Sequence, residues 1–396
     1  MDIKLSDRMS GLNPSAIREM FKVVQNPDII SFAAGSPSAA EFPVPELKAA
    51  ALEIFDREAV PALQYGITEG YAPLRRRLTE RLSEKFGIGR PFDDLIVVSG
   101  GQQCIDLSAK CLVNEGDAVL SENPSFIGGL NTFRSFGARL VGIPMDGDGM
   151  DTDALEEALK REKKAKLIYT IPDFQNPMGV TMSLPRRRKV YELAVKYGVM
   201  VLEDAPYTEL RYSGEPLPAI KSFDETGHVI YSGSMSKVIA PGIRIGFAVA
   251  QKDLMAKMIV AKQGEDVHTN QFFQILVDRY LEENDFDAHI KNCCGHYREK
   301  RDLMLRCMEE NFPSGVAFTR PQGGIFLWCT LPEGYSGKEF CSFAVERGVA
   351  AVPGATFDTQ SDPKNRCFRL NFTVPSHEQI KKGVGILGDC LRDYLK

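Results

Sequence analysis

No run of apolar residues in this chain approaches the roughly 18 that a membrane span requires, and the opening MDIKLSDRMS lacks the apolar core of a secretory leader. A surplus of positive charge is missing too. The 48 lysines and arginines face 53 aspartates and glutamates, for a net charge of −5, which argues against any general affinity for nucleic acid. The densest basic clusters, PRRRK at 185–189 and LRRR at 74–77, each open a helical pattern and read as solvated helix faces. The nine cysteines show none of the spacing of a zinc site, and no metal is expected. Cys104, Cys111, Cys329 and Cys367 lie in apolar stretches and read as small core residues, which fits a reducing cytoplasm. No internal repeat or low-complexity tract is visible.

What is present is an ordinary globular composition, 43% hydrophobic and 26% charged, over a length sufficient for two domains. Short apolar runs at 95–98, 117–120, 140–143, 167–171, 199–202 and 229–231 alternate with helical patterns. Strands buried on both faces with helical crossovers predict an α/β fold, a mostly parallel central sheet flanked by helices. Residues 1–44 read as an arm with a helical pattern at 15–24. Residues 45–285 form the large domain, beginning with a helix that opens at Pro45 and runs through PELKAAALEIFDREAV. The remainder, 286–396, joins the arm in a smaller α+β domain. Between Pro241 and Pro313 there is no proline, and a long helical region is expected from 252 to 308.

The stretch at 232–246 reads SGSMSKVIAPGIRIG. Its lysine, Lys237, has Ser, Gly, Met, Val, Ile and Ala for neighbours rather than other charges. An amine sheltered from water loses its proton more readily, because burial disfavours the charged form. The neutral amine is a nucleophile that forms Schiff bases with carbonyl compounds. Ser234, Ser236 and Arg244 close by would suit a phosphate on the same molecule. A surface lysine is the alternative, and these neighbours argue against it.

Four further loops follow apolar strand signals, the place where open α/β sheets bind ligands. SGGQQ at 99–103 sets Gly100, Gly101 and Gln102 at a helix start, whose N–H groups suit a phosphate; a plain strand-to-helix turn reads the same way. Phe126, in ENPSF, is placed either to stack on a flat ring or to fill the core. Asn176, in DFQNPMG, is an amide in a turn, where asparagine is commonplace. Asp204, in EDAPY, ends a buried strand and needs a partner, which a protonated heterocyclic nitrogen, an ion pair or a helix cap would each supply; Tyr207 follows three residues on.

In order, Gly-Gly-Gln, Asn-Pro-x-Gly, Asp-x-x-Tyr, Ser-x-Ser-Lys and Arg-x-Gly resemble the class I and II aminotransferases, fold-type I enzymes dependent on pyridoxal 5′-phosphate. The resemblance runs from the arm to Arg369. LQYGITEGYAPLRRRL at 63–78 and GSMSKVIAPGIRIG at 233–246 are most similar to the branch holding 2-aminoadipate and kynurenine aminotransferases. It implies transfer of an amino group from an L-amino acid to a 2-oxo acid, with 2-oxoglutarate the expected acceptor, by a ping-pong cycle. Lys237 would form the internal aldimine and carry the proton, and Asp204 would face the pyridine nitrogen. Tyr207 and Asn176 would bond the phenolic oxygen, and Phe126 would stack on the ring. Gly100, Gly101, Gln102, Ser234, Ser236 and Arg244 would hold the phosphate. Arg369 is implied as the bidentate partner of the substrate carboxylate, with Asn176, Gly35 and Arg18 around the rest of the substrate.

Tyr65 resembles the tyrosine that reaches the neighbouring subunit's phosphate, which implies a homodimer with shared active sites. Two positions depart from the branch: Gly101 stands where Ser or Thr is frequent, and Phe126 where Tyr is common. Two rival readings remain open. One is a lyase, decarboxylase or racemase on the same scaffold, since fold does not select among these reactions. The other is an aminotransferase-like ligand sensor. The short stretch ahead of the arm leaves no room for a helix-turn-helix segment, so the expectation is against it.

Overall fold

The computed structural model describes residues 28–360, 362 and 364–396, together with Ile3, Ser6 and Met9. Arg18 and the arm helix expected at 15–24 lie outside the described residues. After the short strand β1 (Ile30–Ser31), eight strands form one sheet: β2 (Asp93–Val98), β3 (Ala118–Asn123), β4 (Arg139–Asp146), β5 (Gly149–Met150), β6 (Ala165–Thr170), β7 (Met200–Asp204), β8 (Val229–Ser234) and β9 (Gly246–Gln251). Their spatial order is β2-β9-β8-β7-β6-β3-β4-β5. The run β8-β7-β6-β3-β4 is parallel throughout, while β9 is antiparallel to both neighbours and β5 to β4. The α/β expectation therefore holds. Leu95 to Val98, Val119, Leu120, Leu167, Ile168, Val201, Leu202, Val229 and Ile230 are all buried, as strands covered on both faces require.

The antiparallel β9 is an addition to what the sequence patterns predicted. It returns from β8 through a single 3-10 turn at Pro241–Ile243, without an α-helical crossover. The 252–308 stretch also differs from expectation. It forms three helices, Lys252–Gln263, Gln271–Glu283 and Phe286–Asn311, and the last is capped by the Asp285 carboxylate, which accepts from the Ala288 N–H. The first ends where Lys262, fully buried, turns its amine to Gln103, Asp266 and Thr269. Near the N-terminal end, the helix opening beside Pro45 spans Val44–Arg57 and breaks at Glu58, ahead of a short helix at Ala59–Leu63.

One residue of the basic cluster at 185–189 departs from the expected solvated face. Arg187, expected on a solvated face, is fully buried in the helix Leu184–Tyr197. Its guanidinium pairs with Asp173 at 2.6 Å and donates to the carbonyls of Met182, Pro218 and Pro172. A buried arginine satisfied on every side ties this helix to the loop after β6.

A second, antiparallel sheet has the order β10 (Ala317–Phe318), β11 (Phe326–Thr330), β14 (Cys367–Asn371), β13 (Val352–Pro353), and β1 pairs in parallel with β12 (Val349–Ala350). The C-terminal helix His377–Tyr394 starts at a capping box between Ser376 and Gln379 and packs on Phe286–Asn311. All nine cysteines are free; of the four read as core residues, Cys104 and Cys329 are buried, whereas Cys111 and Cys367 are partly exposed and pack at the edge of the core. Among the described residues no helix is long and apolar enough to cross a membrane.

Candidate active site

All five loops singled out from the sequence leave the same end of the sheet, after β2, β3, β6, β7 and β8. Their side chains meet around a cavity of 370 Å³. Gly35, Gly101, Gln102, Phe126, Asn176, Asp204, Tyr207, Ser234, Ser236, Lys237, Arg244 and Arg369 all line it. Residues more than 300 positions apart in the chain thus share one space.

Lys237 follows β8 and its Nζ donates to the Gly35 carbonyl at 2.7 Å. Burial, then the charges of Arg369 and Arg244, push its ammonium down to about 8. On the order of a tenth of the amine is neutral at pH 7 in consequence, far more than for an ordinary lysine. Asp204 closes β7, only 5% exposed, and no basic side chain among the described residues is in ion-pair contact with it. It caps no helix either. Burial raises its carboxyl to about 6, opposed by the Tyr169 hydroxyl, which donates to Oδ2 at 2.8 Å, and by the Lys237 charge.

At one end of the cavity the helix Gly101–Leu112 presents its N-terminus. Gly100 caps it at φ 80°, and a Cβ there would overlap the Arg244 guanidinium, so only glycine allows the approach. Arg244 donates to the Ser99 carbonyl at 2.9 Å and stands beside Ser236 Oγ. Free N–H groups, a guanidinium and the hydroxyls of Ser234 and Ser236 make a cradle for a phosphate. The Gln102 amide donates to Thr132 Oγ1 at 2.7 Å instead of standing free. A Cβ at Gly101 would make ordinary van der Waals contact, 3.4 Å from Ser232 Oγ and 3.6 Å from Asp204 Oδ1.

The opposite end belongs to Arg369, on β14 and 1% exposed. It donates to Asn176 Oδ1 at 2.9 Å and the Ala33 carbonyl at 3.3 Å, and its guanidinium lies 4.0 Å from the Phe326 ring centroid and 4.7 Å from that of Phe357. Its Nε has no partner, and no carboxylate among the described residues pairs with it. Burial lowers its guanidinium to about 9, still charged at neutral pH. A buried cation without a counter-ion is costly and is relieved when a carboxylate binds.

Tyr207 is buried next to Asn176, and burial pushes its phenol up well beyond the ordinary range. Its ring centroid is 6.0 Å from Lys237 Nζ. Tyr65 stands apart from this cavity, 82% exposed, against the edge of His268. Arg18 lies outside the described residues, so its expected place near the substrate has no counterpart here. The sequence reading also missed residues. Tyr169, Ser232 and Glu122 sit on buried strands behind the loops, where a tyrosine or glutamate looks like any other strand residue. The polar groups themselves were the available signal, because each needs a buried partner.

These donors fit a phosphate-bearing pyridine aldehyde: a depressed amine, a buried carboxylate facing the cavity and an anion cradle at a helix start. A family model described as aminotransferase class I and II matches residues 27–387. The aromatic-amino-acid aminotransferase 1 of Thermococcus litoralis is 42% identical over 395 residues, covering 99% of this chain and 94% of the relative. The 2-aminoadipate transaminase of Thermus thermophilus is 40% identical over 387 residues, 97% of this chain and 95% of that one. Among solved structures, the kynurenine aminotransferase of Pyrococcus horikoshii, in complex with PMP and with kynurenine named as substrate, superposes with a TM-score of 0.96 at 41% identity, over 99% of this chain and 98% of its own.

Proposed function

Because the chain belongs to the class I and II aminotransferases, a family that works with pyridoxal phosphate, we propose that the cavity around Lys237 is where it moves an amino group from an L-amino acid to a 2-oxo acid. The observation that carries the reading is the placement, on one cavity, of a lysine with a depressed ammonium, a buried carboxylate and a buried, unpaired arginine. When bound, the cofactor supplies an aldehyde that exchanges between amines and a ring that takes up electrons from the substrate Cα.

The chain supplies everything else. Arg369 binds the α-carboxylate, its guanidinium already oriented by Asn176 and by the rings of Phe326 and Phe357. Lys237 Nζ would act as the base toward the substrate Cα proton, and burial favours its neutral form. Asp204 would hold a proton on the ring nitrogen. Gly100, Gly101, Ser234, Ser236 and Arg244 would hold the phosphate, Phe126 would cover the ring, and Tyr207 and Asn176 would bond the phenolic oxygen. Gly35 lines the substrate side.

The donor is an aromatic or 2-aminoadipate-like amino acid in this reading, supported by the names of the relatives, and 2-oxoglutarate is the acceptor. Absorbance spectroscopy tests it. The band of the cofactor-loaded protein should disappear on adding the donor alone and return on adding 2-oxoglutarate, and a band that never cycles would overturn transamination in favour of another reaction on the same scaffold.

We place two copies together. Leu52, Phe55, Val60, Leu63, Tyr65 and Ile67, all large apolar side chains exposed to solvent, lie within one stretch of the chain and would be covered by pairing. Pairing there would bring Tyr65 to the partner's phosphate. Sedimentation should give twice the chain mass, and a monomer at micromolar concentration with full activity would contradict the shared site. The division into an arm (1–44), a cofactor-binding domain (45–285) and a smaller domain (286–396), and a cytoplasmic location, belong to the same reading. The pairing of β1 with β12 supports the first and the nine free cysteines the second.

A further inference from the structure

Tyr169 lies near the end of β6, fully buried, with its hydroxyl donating to Asp204 Oδ2 on the adjacent strand β7 at 2.8 Å. Its ring has a made place. A Cβ on Gly129 would stand 2.9 Å from Tyr169 Cε1, and Phe133 packs edge-on with centroids 5.3 Å apart. The other oxygen of the carboxylate, Oδ1, is on the cavity side, since a Cβ on Gly101 would lie 3.6 Å from it. Ser232 Oγ, on β8, is close enough to act on the carboxylate but has no partner in hydrogen-bond geometry.

We propose that Tyr169 is a positioning residue for Asp204: its hydroxyl engages Oδ2, keeps the buried carboxylate ionised and leaves Oδ1 aimed at the ring nitrogen of the cofactor. The inference rests on the reading of Asp204 given above. The other titratable groups that act on Asp204 or are acted on by it are Lys237, Glu122, Tyr207 and Cys104. Lys237 alone among them is cationic, and it is engaged with Gly35 and then with the cofactor. Glu122 works in the opposite sense: fully buried, it accepts from Thr170, Ile171 and Gln175 and is itself pushed up to about 7 by burial. The Tyr169 hydroxyl is therefore the fixed donor that steadies the charge on Asp204. A carboxylate stripped of it in this setting takes up a proton and can no longer hold one on the ring.

The test compares two ligands by equilibrium titration without any substrate: pyridoxal phosphate and its 1-deaza analogue, in which a ring CH replaces the nitrogen. Tyr169→Phe keeps the ring packing and removes the donor. It should weaken pyridoxal phosphate about tenfold, the scale of one hydrogen bond to a charged group, and leave the analogue unchanged. Equal weakening of both ligands would mean that Tyr169 only supports the fold, and the proposal would fall. A wild-type protein that binds both ligands equally would instead remove the role of Asp204, separating that failure from this one. Gly129→Ala crowds the same ring from beneath and provides a second variant. It should show the same selective loss to a smaller degree, and a non-selective loss would count against the proposal.

Discussion

Lys237→Ala is expected to lower the rate of amino transfer about 10,000-fold, the upper range for removing a positioned acid–base group, while the protein remains folded. The residue is partly exposed to the cavity, and its side chain makes one hydrogen bond, to Gly35. Removing it leaves one backbone carbonyl to solvent and no void in the core. The defect should therefore lie in chemistry and not in stability, and a thermal melt alongside the kinetics separates the two. The pH dependence has a definite sign. Since the neutral amine is the reactive form and its ammonium is held down to about 8, attachment of cofactor to the wild-type protein should speed up as pH rises to about 8 and level off above it. Stopped-flow mixing of apoprotein with pyridoxal phosphate between about pH 6 and about pH 10.5 reads this. A rate that keeps climbing past pH 10 would mean an ordinary, solvated lysine.

Arg369→Leu should reduce kcat/KM for amino acids about 100- to 1,000-fold, as expected for losing the partner of a buried carboxylate. Leucine suits the place, flanked by Phe326 and Phe357, because an apolar side chain relieves the cost of the uncompensated guanidinium. The melting temperature should hold steady or rise. Loss of ground-state binding would appear chiefly in KM. An amine substrate without a carboxylate supplies the control: wild type and variant should process it alike. If the variant lost as much on that amine as on an amino acid, Arg369 would be shaping the cavity and not gripping the carboxylate.

The parallel sheet and the loops at its strand ends could be read from the chain because each strand is a local apolar run ended by glycine, proline or a polar residue. Gly101, Asn176, Asp204 and Lys237 follow those endings, so locating the strands located them, and Arg244 came with the lysine stretch. Arg369 needed the resemblance as well, since CFRLNF resembles a surface strand until burial is known. What escaped was decided by distant contacts. Arg187 looks solvated until Asp173 and three carbonyls surround it, and the 252–308 stretch looks continuous until the Lys262 network turns the chain. Tyr169 was invisible for the same reason: its role comes from a neighbouring strand, and its ring fits only because residue 129 is glycine.

The central claim is that Lys237 is the residue that carries the cofactor, and borohydride reduction of the loaded protein followed by peptide mapping tests it most directly. The account predicts one labelled peptide, containing Lys237, and none in the Lys237→Ala variant. Label on another lysine, Lys221 or Lys262 for example, would contradict it.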